Sequence, residues 1–152
     1  LRSLVGSEMC IRDRTQHPSW VYAADGKVDE EFFVAAVQEY CYVFFKYATP
    51  GSYEAFRELS QTMLTYRPND VLFLDNMGSY YLVVKKDNKQ ALKYYNKVLK
   101  IKPDDLTAIK NLVLMARSSG NVKLEKKYLP MLVKYTDSEA ERMSAKARLE
   151  KL

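Results

Sequence analysis

From Val28 onward, apolar residues fall in stretches long enough for several helical turns, each bounded by Pro, Gly, Asp, Asn, Ser or Thr. Such residues start and stop helices, so the pattern predicts seven of them. The first spans about 29–49 and stops at Pro50-Gly51. Ser52 is placed to cap a second that runs to Tyr66, and Asp70 to cap a third over about 70–86. Asp87 or Asn88 opens the fourth, the fifth covers about 104–118, and the sixth runs from Asn121 to Tyr135. Ser138-x-x-Glu141 reads as a capping box, in which two residues satisfy each other's free amides, so a last helix starts there. It is mostly charged, with Met143, Ala147 and Leu149 as its apolar minority, the composition of an end piece that faces water.

The third and fourth helices carry the most specific pattern: Leu74, Met77, Gly78 and Tyr81, then Ala91 and Tyr95, then Pro103. A mid-helix Gly costs about 1 kcal/mol relative to Ala, so Gly78 needs a packing reason such as the close approach of the next helix. Pro103 stops the fourth helix. Residues 71–105 resemble the tetratricopeptide repeat, a helix-turn-helix unit. Pro68 to Pro103 is 35 positions against about 34 for the family. Met77 to Ala91 is 14 positions, about one more than the family uses, which places an extra residue in the turn at Lys85–Asn88. A following unit aligns after Asp104-Asp105 with Ile109 and Leu112 at apolar positions, but Val113, Ala116, Glu125 and Asp137 depart from the pattern. A preceding unit runs from about Gln38 to Pro68, with Tyr40, Phe44 and Tyr47 on its first helix and Ala55 and Leu59 on its second. The resemblance implies an all-α fold, a right-handed α-solenoid of antiparallel helix pairs with about three repeats and a C-terminal capping helix. The expected organisation is an artefactual or irregular segment over 1–27 and a repeat domain over 28–152.

Composition fits one small domain: 152 residues, 47% of them hydrophobic, with twelve tyrosines and six phenylalanines that suit interlocking helix pairs. The string from Leu4 to Arg14 resembles read-through of sequencing-adapter DNA, and the chain lacks an initiating Met. A C-terminal fragment of a longer protein is therefore expected, with its localisation, cytoplasmic or periplasmic and secreted, left open. Residues 17–28 suggest an extended stretch with a turn at Asp25-Gly26, weakly resembling the end of a thioredoxin-like domain without its paired cysteines. With Cys10 set aside, Cys41 is alone and reads as a buried structural thiol.

Catalysis finds little support. His17 is the only histidine, which excludes a multi-histidine metal site, and no phosphate loop or dinucleotide fingerprint occurs. Asp29-Glu30-Glu31 begins a helix, where acidic groups complement the macrodipole. No enzyme activity, cofactor or metal is expected.

Charge is uneven: residues 28–70 hold three basic and seven acidic side chains, net −4, and residues 71–136 thirteen basic and five acidic, net +8. Lys89, Lys93, Lys97 and Lys100 line one face of the fourth helix, the outward one if the resemblance holds. They read as a solvating face; an acidic partner or an anionic lipid surface is the less favoured reading, and nucleic acid is not expected.

The resemblance implies a concave groove lined by first helices. Its positions fall on Phe45 in the first unit, on Asp75, Ser79 and Leu82 in the second, and on Lys110, Leu114 and Arg117 in the third. An apolar end at Phe45 and a basic end at Lys110 and Arg117 would suit a protein or peptide segment with a hydrophobic anchor and an acidic group. Family members that clamp a C-terminal carboxylate place Lys and Asn where Cys41 and Phe45 stand, so that mode is not expected. The expected function is thus a non-enzymatic protein-interaction scaffold. The alternative is an accessory module of a larger protein whose activity, thioredoxin-like or envelope-associated, lies in an N-terminal domain.

Overall fold

The computed structural model describes residues 30–152, which are helical throughout apart from short connections, with no strand among them. The predicted extended segment over 17–28, His17, Asp29 and the adapter-like string lie outside the described residues. We number the helices α1 (Glu30–Tyr47), α2 (Pro50–Tyr66), α3 (Val71–Ser79, continuing as a π-helical stretch over Tyr80–Val84), α4 (Asn88–Ile101), α5 (Leu106–Ser118), α6 (Val122–Tyr135) and α7 (Glu139–Leu149). The described residues fall into two compact units, one up to Pro68 and one from Asn69 onward.

In the first unit α1 packs on α2. Phe33, Val37 and Cys41, four apart on α1, are buried, as are Ala55, Phe56, Leu59, Ser60 and Met63 on α2. Thr49, not Ser52, caps α2. The Ser52 amide donates to Thr49 Oγ1 at 3.1 Å and the Thr49 amide to Ser52 Oγ at 2.9 Å, so a hydroxyl does at the third position what Glu usually does. Pro50 follows the cap, where a missing N–H costs nothing.

In the second unit each helix packs on the next, α3 on α4, α4 on α5, α5 on α6 and α6 on α7. Asp70, Asp87, Asp105 and Asn121 each accept a backbone N–H at the start of α3 to α6. The α7 capping box forms only by half: Ser138 Oγ accepts the Glu141 amide at 3.3 Å, while the Glu141 carboxylate turns to Thr136 Oγ1 and to Lys110. Tertiary partners with charge and a second hydroxyl outcompete the local amide. Burial on α7 falls on Ala145, and Met143 and Ala147 are exposed. Pro130 sits inside α6 without ending it; it lies on the exposed side, where the carbonyl it leaves unpaired can meet water.

The extra residue between Met77 and Ala91 lies in the helix rather than in the turn. The Lys85 amide donates to Tyr80 O at 3.1 Å, a span of five residues instead of four, so α3 widens by one residue at Tyr80–Val84. This shifts the aromatic register. Tyr80, not Tyr81, is fully buried, and Tyr81 is half-buried, stacked on Tyr94 with ring centroids 5.6 Å apart. Upstream of the widening, Leu74 and Met77 are buried and Gly78 meets α4 directly. A Cβ built on Gly78 would stand 2.6 Å from Cε1 of the buried Tyr95 ring, closer than real carbon atoms approach. Only glycine fits under that ring. Ala91, one turn before Tyr95 on α4, is also fully buried, and Pro103 follows the last turn of α4 in an exposed connection.

Candidate functional site

The positions expected to line a groove meet different fates. In the first unit, Phe45 is occupied by packing. Its ring lies edge-on to Tyr53 (5.6 Å between centroids) and tilted against Phe56 (4.9 Å), so much of the proposed anchor surface is spent holding α1 to α2. The exposed apolar side chains of that helix are instead Phe32, Tyr40, Tyr42, Val43 and Tyr47.

In the second unit, Asp75 and Ser79 of α3 belong to a polar cluster rather than an open wall. Asp75 is only 9% exposed, and its Oδ1 is buried without a hydrogen-bond partner. Burial, reinforced by the facing Asp105 and opposed by Lys102, pushes its carboxyl up to about 7 from an ordinary 3.8. Asp105 is held in place: its Oδ1 caps α5 through the Ala108 amide at 3.0 Å and its Oδ2 accepts from Lys102 Nζ at 3.2 Å. Ser79 Oγ lies 3.2 Å from Tyr95 Oη, which fixes the ring over Gly78. Leu82, half-buried, falls within the π-helical stretch.

On α5 the two cations assigned to an acidic ligand already have internal partners. Lys110 Nζ is 3.0 Å from Glu141 Oε1, and Arg117 Nε is 2.9 Å from Glu125 Oε1. Glu125 also takes Arg148 from α7 at 2.8 and 2.9 Å, and these hydrogen bonds, Arg148 first, hold its carboxylate below the usual range. Glu125 is 1% exposed, covered by the arginines that it pairs. Sequence reasoning could flag Glu125 only as the single acidic residue of a basic helix; its partners lie 8 and 23 positions away. Between these neutralised ends stands Leu114, 59% exposed.

An open cleft of about 290 Å³ lies elsewhere, among the start of α4, the end of α5 and the start of α6, lined by Asn88, Lys89, Leu92, Met115, Ser119 and Leu124. Cys41 offers no reactive centre. Burial pushes its thiol up to about 11, against a weak opposing hydrogen bond from Ser60 Oγ at 3.7 Å. Among the described residues no group of three His, Cys, Asp or Glu side chains could hold a metal, and no helix is long and apolar enough to cross a membrane. No protein-family model and no curated protein matches the chain.

Proposed function

We propose that the chain is a non-catalytic scaffold of the tetratricopeptide type that holds a segment of another protein on the first-helix face of its second unit. The glycine under Tyr95, the helix pairs of similar length and the 35-residue spacing of Pro68 and Pro103 favour that repeat type. Repeats of this kind leave one wall of first helices free for partners.

The observation that carries the reading is Leu114, a large apolar side chain left open in mid-helix between Lys110 and Arg117, both of them charge-paired. An acidic ligand would have to break those pairs. The preferred ligand is therefore an amphipathic segment that offers an apolar anchor to Leu114, with polar groups at its flanks.

A displayed peptide library selected on the whole chain tests this. Burying a Leu side chain contributes about 1.5–3 kcal/mol, so Leu114→Arg should weaken the selected peptides roughly ten- to hundred-fold. Lys110→Gln should change them little. Peptides that bind the Leu114→Arg protein as tightly as the parent, or an acidic consensus lost with Lys110→Gln, would overturn the assignment.

A further inference from the structure

The lysine stripe visible in the sequence of α4 has a counterpart on α6. Lys89, Lys93, Lys97 and Lys100 are all exposed and fall within about 80° of the α4 circumference. On α6, Lys123, Lys126, Lys127 and Lys134 are also exposed and fall within about 100°. One side-chain bond joins the two helices: Tyr128 of α6 donates its hydroxyl hydrogen to Asn96 Oδ1 of α4 at 2.8 Å. On both helices the buried residues occupy the opposite side. Both stripes therefore lie on the outer side of their helices, away from the core.

Neither helix supplies an acidic side chain that neutralises these stripes. Helix α4 contains no acidic residue, and the only one in α6, Glu125, is turned inward to Arg117 and Arg148. None of the eight lysines has an ion-pair partner among the described residues, whereas Lys102 and Lys110 do. Several are held out over tyrosine rings: Lys97 at 5.6 Å from the Tyr94 centroid, Lys127 at 4.9 Å from Tyr128 and Lys134 at 4.7 Å from Tyr135.

We propose that the outer face of α4 and α6 is a docking surface for an anionic lipid bilayer. Three features select this partner over other polyanions. The charge is all lysine, a point charge that attracts a plane of phosphates without the bidentate geometry of arginine. Of the tyrosine rings beneath, Tyr94 is stacked on Tyr81 and Tyr128 is buried, so neither is free to stack on a nucleobase. Neither stripe includes an exposed large apolar side chain, the anchor that an acidic protein segment would need; Ile101 and Val122 are exposed only at helix ends.

The test is co-sedimentation of the whole chain with vesicles of phosphatidylcholine alone or mixed with phosphatidylglycerol. Binding is expected only to the anionic vesicles and should fall steeply as salt shortens the Debye length. Each lysine at the surface is worth about five-fold. Replacing the four lysines of α4, or the four of α6, by Gln should therefore cut binding at least ten-fold. A control quadruple, Lys86, Lys110, Lys146 and Lys151 to Gln, removes the same charge from exposed positions of the second unit outside α4 and α6 and should cut it much less. Circular dichroism confirms that each variant keeps its helices. Equal binding to neutral vesicles, no binding to anionic ones, or equal loss in the control would overturn the proposal. So would retention of an oligonucleotide that both α4 and α6 variants lose while vesicle binding is unchanged, which would assign the face to nucleic acid.

Discussion

Replacing Asp75 by Asn should stabilise the protein, and more so the higher the pH. Asp75 is buried on α3 facing Asp105, and its folded-state carboxyl is raised to about 7. When the folded value exceeds the unfolded one, the unfolded state releases its proton first. Both states are protonated below about pH 4, so the acid then costs nothing. Between about pH 4 and 7 the unfolded state is progressively favoured, and above about 7 the penalty is constant. The 3.2-unit gap between 3.8 and 7 sets a ceiling of about 4 kcal/mol at 1.36 kcal/mol per unit. Local relaxation around the carboxyl lowers this ceiling, so a gain of about 1–3 kcal/mol is expected. Asn keeps the shape and can still donate to Asp105. Glu125 and Glu141, whose carboxyls are held below their ordinary values, impose the opposite pH trend, but they are common to both proteins and cancel in the difference. Urea melts of the two proteins at about pH 4 and about pH 8, followed by far-UV circular dichroism, read that difference directly. A gap that is the same at both pH values, or an Asn protein that is less stable at about pH 8, would refute the reasoning.

Gly78→Ala gains about 1 kcal/mol of helix propensity but forces Cβ into the Tyr95 ring, a clash that typically costs about 1–3 kcal/mol, so a net loss is expected in a urea melt. Tyr95→Leu in the same chain should recover the difference between Gly78 and Ala; failure to do so would place the clash elsewhere. Glu125→Ala leaves Arg117 and Arg148 without their shared carboxylate, and because the arginines are themselves 41% exposed the cost should be about 1–3 kcal/mol rather than that of a deeply buried pair. The same measurement should show Lys110→Gln to be milder, below about 1 kcal/mol, since Lys110 is 45% exposed in its pair with Glu141. Iodoacetamide should label Cys41 only once urea opens α1 and α2, as peptide mapping by mass spectrometry would report; prompt labelling of the native protein would contradict its burial.

Helix number and spacing were legible because they depend on neighbours in sequence. Seven apolar stretches punctuated by Pro, Gly, Asp and Ser correspond to seven helices among the described residues, and Gly78 announced a close approach that Tyr95 makes. The lysine stripe of α4 was equally plain, because helical spacing alone puts its residues on one face. Three things came only with the folded chain. The widening at Tyr80–Val84, which buries Tyr80 and displaces Tyr81, reflects a compromise between hydrogen-bond register and core packing that no local propensity encodes. The state of the predicted groove positions on α5 depends on which charges meet: Lys110 pairs with Glu141 and Arg117 with Glu125. The doubling of the lysine stripe depends on the fold joining α4 to α6, which the Tyr128–Asn96 bond does across 32 positions. A sequence specifies which faces are apolar or charged, because those follow from residue type and helical period. Which charges cancel and which add is settled only when packing brings distant helices within Coulomb range.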